Sequence, residues 1–172
     1  MKQRTFALLK PDTIAKGLQQ EIEKRIEELG LVIVRRKIIC ATKNQCMDHY
    51  DKDDEWCIRQ GQRKLNQGAS ADKSALQHGR RILELMANYF MSGEMVALIV
   101  EGENAVELMR KLVGDTEPIN AASGTLRGEY SADSYELANH QERALHNIVH
   151  TSDSEEEAKR ETNIWFPEAI LN

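Results

Sequence analysis

The densest run of reactive side chains is Asn147-Ile148-Val149-His150-Thr151-Ser152-Asp153-Ser154. His150 falls just ahead of a helix that Ser154-x-x-Glu157, with the spacing of a capping box, predicts for the end of the chain. A helix N-terminus favours anions. An imidazole there is substantially neutral near pH 7 and can act as a nucleophile. Ser152 and a downstream carboxylate such as Glu161 have the chemistry to orient its ring. The same histidine fits a plainer role as a helix cap, and the local residues leave both readings open. A metal pair of His146 and His150 is a further option, but HExxH requires a glutamate directly after its first histidine, where this chain has Asn147.

An anionic ligand needs cations. Lys10 closes a first strand, Arg110 sits at the margin of a helix's apolar face, and Arg127 lies between Gly124 and Gly128. Each alone reads as a solvated surface charge. Together, in a chain of net charge −5, they suit a phosphate pocket if folding gathers them. That net charge also argues against a sequence-independent nucleic-acid binder. Cys40, Cys46 and Cys57 form no CxxC pair, which argues against a disulfide framework and a cysteine-rich zinc site. No stretch approaches a membrane span, the N-terminus lacks a signal peptide's apolar region and cleavage site, and a cytoplasmic protein is expected.

The elements that must position these groups follow from periodicity. Residues 4–10 read as a strand ending at Pro11, and Ile14, Leu18, Ile22, Ile26 and Leu29 predict a helix over 13–29 that Gly30 stops. Leu31 to about Cys40 is a β-branched strand, followed by a short helix from the capping box Thr42-x-x-Gln45 toward Tyr50. The polar segment 51–78, helix-compatible from Glu55 to Leu65, has the look of an insertion. A helical pattern resumes from Lys73 and closes near Ser92-Gly93, ahead of a buried strand over 95–100 and an amphipathic helix over 104–113. Thr125-Leu126-Arg127 suggests a loop feeding a short extended segment, 131–143 is a polar stretch, and Pro167 ends the last helix. Strands separated by helices in 172 residues indicate one domain, an α+β or α/β sandwich.

Thr5-Phe6-Ala7-Leu8-Leu9-Lys10-Pro11-Asp12, Ser92-Gly93, Glu101-Gly102-x-Asn104-Ala105-Val106, Gly124-Thr125-Leu126-Arg127-Gly128 and Asn147-x-x-His150-x-Ser152-Asp153-Ser154 occur in this order. In this conjunction the chain resembles the nucleoside diphosphate kinases. The resemblance implies a ferredoxin-like βαββαβ sandwich with an antiparallel sheet. It also implies ping-pong transfer of the terminal phosphoryl group from a nucleoside triphosphate to a nucleoside diphosphate through a phosphohistidine. By the same resemblance His150 is the nucleophile, supported by Ser152 and Glu161. Lys10 and Tyr50 meet the terminal phosphate, Arg110, Thr116 and Arg127 bind phosphates, and Asn147 contacts the sugar. Magnesium should arrive on the nucleotide rather than in a carboxylate cage of the protein, and a homo-oligomer, hexamer or tetramer, is expected.

The chain departs from that family at two places. The interval from Tyr50 to Ser92 is about two dozen residues longer than usual, and a second extension of about ten lies within 131–143. The family's base-stacking aromatic would fall at Ile82, whose helical spacing to Leu85, Met86 and Tyr89 equally suits a core residue, while Trp56 could supply a ring instead. A non-catalytic nucleotide-binding regulatory module on the same fold is the alternative function, against which stands the full set of His150, Lys10, Arg110, Arg127 and Asn147.

Overall fold

A computed structural model describes residues 2–168. The chain runs β1 (Lys2–Leu9), α1 (Pro11–Ala15), α2 (Gln19–Glu28), β2 (Val32–Ile39), α3 (Lys43–Tyr50), α4 (Asp54–Asn66), α5 (Ala75–Phe90), β3 (Met95–Glu103) and α6 (Ala105–Val113). A 3-10 turn (Pro118–Asn120), α7 (Leu126–Tyr130), α8 (Tyr135–His140), β4 (Val149–Thr151) and α9 (Glu155–Trp165) complete it. The strands form one antiparallel sheet in the order β2-β3-β1-β4, which with its packed helices is an α+β ferredoxin-like fold. Among the described residues no helix is long and apolar enough to cross a membrane.

Strand alternation sends successive side chains to opposite faces, and both faces of the central strands are covered. Ala7, Leu9, Val96 and Leu98 pack with Ile22 and Ile26 of α2 and with Met109 and Val113 of α6. Phe6, Leu8, Met95 and Ala97 pack on the other side with Phe90 of α5 and Trp165 of α9. This is why β1 and β3 read as continuous apolar runs rather than alternating ones. The register sets Leu8 opposite His150 and Leu9 opposite Val149, so the pairing of β1 with β4 carries Lys10 to the end of the sheet where His150 stands.

Two expectations need correction, one polar stretch gains a helix, and one open reading is decided. The helix over 13–29 is two helices, because Gly17 adopts φ +67 and breaks the ladder between α1 and α2. Leu126 and Arg127 are not extended: they open α7, which Thr125 caps by accepting the Gly128 N–H. The polar stretch 131–143 contains α8, capped in the same way by Ser134. His150 is a strand residue and does not cap the last helix, which Ser154 caps by accepting the Glu157 N–H. A three-residue strand is too short to carry a readable period.

Helices α4 and α5 form a hairpin held at unusually short range. A Cβ added at Gly61 would lie 1.7 Å from the Ala75 carbonyl oxygen, and one at Gly79 would lie 1.9 Å from that of Cys57. Asp53 caps α4 by accepting the Trp56 N–H at 2.7 Å, and Ser74 with Gln77 makes a complete capping box on α5.

Candidate active site

A cleft of about 650 Å³ opens at the end of the sheet where β1 and β4 meet, a size suited to a small organic ligand. Lys10, Tyr50, Arg110, Thr116, Arg127, Asn147 and His150, each expected at a phosphate, sugar or reacting atom, all line it. Ser152 and Glu161 lie beneath it, buried against His150.

The turn after β1 builds one wall. Lys10 donates its backbone N–H to the Ile148 carbonyl at 2.7 Å, and the Thr13 hydroxyl donates to the same oxygen at 2.7 Å. Asp12 accepts the Ile148 N–H at 3.1 Å and, on its other oxygen, the Tyr89 hydroxyl. Ile148 needs this grip: its φ is +57, a left-handed conformation costly for a β-branched residue. The two residues after it deliver His150.

His150 Nε2 lies 2.7 Å from Glu161 Oε1, and the Ser152 hydroxyl donates to Glu161 Oε2. Glu161 is buried on α9, and burial pushes its carboxyl up. The His49 ring meets the His150 ring edge to face, with centroids 4.6 Å apart, and Trp165 Nε1–H donates to His49 Nδ1 at 3.2 Å. Burial first, then the Lys10 and Arg127 cations, hold His150 down to about 3, so its ring is neutral. His49, Asp12 and Tyr89 were not singled out from sequence. His49 sits on α3, and its proximity to His150 is a tertiary contact between residues about a hundred apart.

The cations have distinct settings. Lys10 Nζ donates to Asn147 Oδ1, and burial, followed by the charge of Arg127, lowers it to about 7. Arg127 is buried and donates from Nε to Asn147 O at 3.2 Å, from Nη1 to Gly114 O at 3.0 Å and from Nη2 to Val149 O at 2.6 Å. A guanidinium has five N–H groups, so two remain for a ligand. Arg110, half-exposed on α6, is paired with Asp153. The Asn147 amide is engaged at both ends, with Nδ2 donating to the Thr116 carbonyl at 2.8 Å. The Tyr50 hydroxyl donates to Met86 O at 3.4 Å, and burial holds its pKa well above the ordinary phenol value.

His49, His150 and Glu161 bring possible metal-ligand atoms within 4.8 Å of one another. Glu161 and His150 are hydrogen-bonded to each other, and His49 Nδ1 accepts from Trp165, so these atoms work as an orienting network. His146 is not part of that group; its ring stacks on Tyr89 at 4.5 Å. Asp153 is the one carboxylate among the described lining residues and is tied to Arg110, which leaves no carboxylate pair for a resident divalent ion. Ile82 of α5 and Trp56 of α4 both line the cleft.

The sequence matches the nucleoside diphosphate kinase family over residues 3–58 and 63–170. It is 40% identical to a nucleoside diphosphate kinase of Pyrobaculum aerophilum over 96% of each chain. It is 33% identical to one of Pyrococcus furiosus over 98% of this chain and 86% of the other. A crystal structure of an NDP kinase from Pyrobaculum aerophilum superposes with a TM-score of 0.89 at 37% identity over the whole of both chains. A nucleoside-diphosphate kinase of Borrelia burgdorferi, solved with vanadate and ADP as a transition-state mimic, gives 0.80 at 29% identity over 99% of this chain and 91% of the other.

Proposed function

Because the chain belongs to the nucleoside diphosphate kinase family, whose enzymes move a terminal phosphoryl group from a nucleoside triphosphate to a nucleoside diphosphate, we propose that Nδ1 of His150 carries that group between them. The observation that carries this reading is the 2.7 Å contact between His150 Nε2 and Glu161. A carboxylate accepts, so Nε2 bears the proton and Nδ1 keeps its lone pair.

In the first half-reaction Nδ1 attacks the terminal phosphorus, and the bond to the bridging oxygen breaks with its electron pair leaving on the diphosphate. The imidazole becomes a phosphorylated cation that retains its Nε2 proton, and Glu161, held by Ser152, offsets the new charge. In the second half-reaction a terminal oxygen of another diphosphate attacks phosphorus and the P–N bond breaks. No proton has to leave the ring, and donor and acceptor share one pocket, which is ping-pong kinetics. Lys10 and the two unused N–H groups of Arg127 offset the charge that grows on the transferred group, a reading supported by their place in the cleft lining beside His150. Arg110 joins them by exchanging Asp153 for phosphate. Tyr50 meets the terminal phosphate, Thr116 assists phosphate binding, and Asn147 serves the sugar while keeping Lys10 aimed. Magnesium comes with the nucleotide as part of the substrate.

The vanadate and ADP bound in the Borrelia burgdorferi relative support a nucleotide in this cleft. We read 51–78 and 131–143 as additions to a single domain that raise its far rim, with Trp56 and Ile82 toward the base. The free Cys40, Cys46 and Cys57 fit a reducing, cytoplasmic setting, and a homo-oligomer, tetramer or hexamer, is the expected assembly. Incubation with γ-labelled ATP should give an acid-labile phosphoprotein that a nucleoside diphosphate discharges. His150→Ala should abolish the label and His146→Ala should keep it; a labelled His150→Ala protein would refute the mechanism.

A further inference from the structure

Asn147 joins two parts of the site, because its amide meets Lys10 at one end and the Thr116 carbonyl at the other. An amide can aim a lysine only if its own main chain is fixed, and residues 146–148 precede the pairing of β4, which begins at Val149. The segment is gripped from outside instead. On the C-terminal side of Asn147, Asp12 accepts the Ile148 N–H at 3.1 Å. On the N-terminal side, the His146 N–H donates to Asp133 Oδ2 and the His146 carbonyl accepts the Ser131 hydroxyl, both at 2.7 Å. Ser131 and Asp133 open the segment 131–143, one of the two places where the chain departs from the family pattern.

Asp133 is buried and collects four donors. Oδ2 accepts Arg143 Nη1 at 2.6 Å beside the His146 N–H, while Oδ1 accepts Arg143 Nη2 at 2.8 Å and the Ser134 N–H at 3.0 Å. Only an ionised carboxyl accepts at both oxygens; an amide in its place would turn an NH2 group toward two donors. The main chain here reaches the loop that carries Thr116. The Asp133 carbonyl accepts the Ile119 N–H at 3.3 Å, and Glu117 accepts the Tyr135 N–H at 2.7 Å. Asp133 thus ties down both pieces of chain that the Asn147 amide spans. The His146 ring stacks on Tyr89, whose hydroxyl donates to Asp12, so the grips on the two sides of Asn147 are themselves joined.

We propose that Asp133, assisted by Ser131, is a positioning residue for phosphoryl transfer: by fixing the main chain at His146 it sets the direction of the Asn147 amide, and through it the place of the Lys10 ammonium at the transferred group. This rests on the reading of His150 as the phosphoryl carrier. Neither Asp133 nor Ser131 is among the described lining residues of the cleft, so both act from behind its wall. Phosphoryl transfer depends on placement more than on bond-making by the protein, and a displacement of about 1 Å originating away from the reacting atoms can cost about a hundredfold.

The test is rapid-quench labelling of His150 by saturating γ-labelled magnesium ATP in the unaltered full chain, Asp133→Ala, Asn147→Ala and the double variant, with folding checked by thermal melts. Asp133→Ala should label about tenfold more slowly. In the Asn147→Ala background the same change should cost less than about twofold, because no amide remains to be aimed. Ser131→Ala, which leaves the carboxylate in place, should slow labelling about threefold and again lose its effect without the amide; it decides the matter if Asp133→Ala does not fold. An unchanged rate in the folded single variants, or equal slowing in both backgrounds, would overturn the inference and leave phosphoryl transfer through His150 standing. Failure of the unaltered chain to label would overturn both.

Discussion

His150 is uncharged throughout the physiological range, because burial and two neighbouring cations hold it near 3. Any pH dependence of nucleotide handling must then come from another group, and Lys10, lowered to about 7 mainly by burial, is the one beside it. A phosphate arriving next to Lys10 favours the ammonium and restores a high pKa. Above about pH 7 the free side chain has lost its proton and the complex regains it, so binding takes up a proton; below that pH both states hold it and uptake vanishes. Titrations in buffers of differing ionisation enthalpy should count nearly one proton at about pH 8.5 and almost none at about pH 5.5. Glu161→Gln keeps an acceptor but not the charge. Losing a charge-assisted hydrogen bond, roughly 1.5–3 kcal/mol, should slow phosphorylation of His150 about ten- to hundredfold in rapid-quench measurements, with nucleotide affinity little changed. That His150, Lys10 and Arg127 line one cleft could be expected from motifs spread along the chain, although each residue alone fits a plainer role. Their settings could not: that Arg127 spends three of its donors on main-chain carbonyls depends on contacts no local pattern encodes.

The supporting elements hold these groups through short connections. Arg160 of α9 donates to the Asp48 and His49 carbonyls at 2.6 and 2.9 Å, a cation on the open C-terminal end of α3, and so ties the helix that carries His49 and Tyr50 to the helix that carries Glu161. The crossing of α4 on α5 depends on two positions without side chains. Gly61→Ala drives a methyl group into the Ala75 carbonyl, and the helices must separate. The expected cost is about 2–3 kcal/mol in urea unfolding, with weakened nucleotide binding but an intact β1–β4 pairing. Helix α4 was readable from composition and from the scarcity of β-branched residues. Its packing was not, since in sequence Gly61 and Gly79 look like weak points of a helix rather than the places where two backbones touch. Strand β4 and the Gly17 break escaped for the opposite reason: each is too short to leave a period, and the sheet and the turn decide them.

At the scale of the molecule, a net charge of −5 conceals a cleft whose described lining carries six cations against one carboxylate. Such a field concentrates anions where it is needed and leaves the rest of the surface acidic. The outer strand of the sheet, β2, exposes Val32 at 58% and Ile38 at 55%, and an open edge bearing apolar side chains invites pairing with another copy. Ile38→Lys should therefore shift sedimentation toward smaller species while the monomer remains folded. The α+β class could be read from alternating patterns, but strand order could not, because β1 lies between the two strands that come last in the chain. That order has a consequence for how the protein comes into being. The first strand leaves the ribosome with both edges bare, and Lys10 waits for Asn147, a partner 137 positions later. Contacts so distant form late, so a nascent chain holds its phosphate-binding lysine without the histidine it serves. Competence to handle nucleotides should appear all at once, when β4 slots beside β1 and α9 closes over it, making β1 dependent on a helix synthesised well after it.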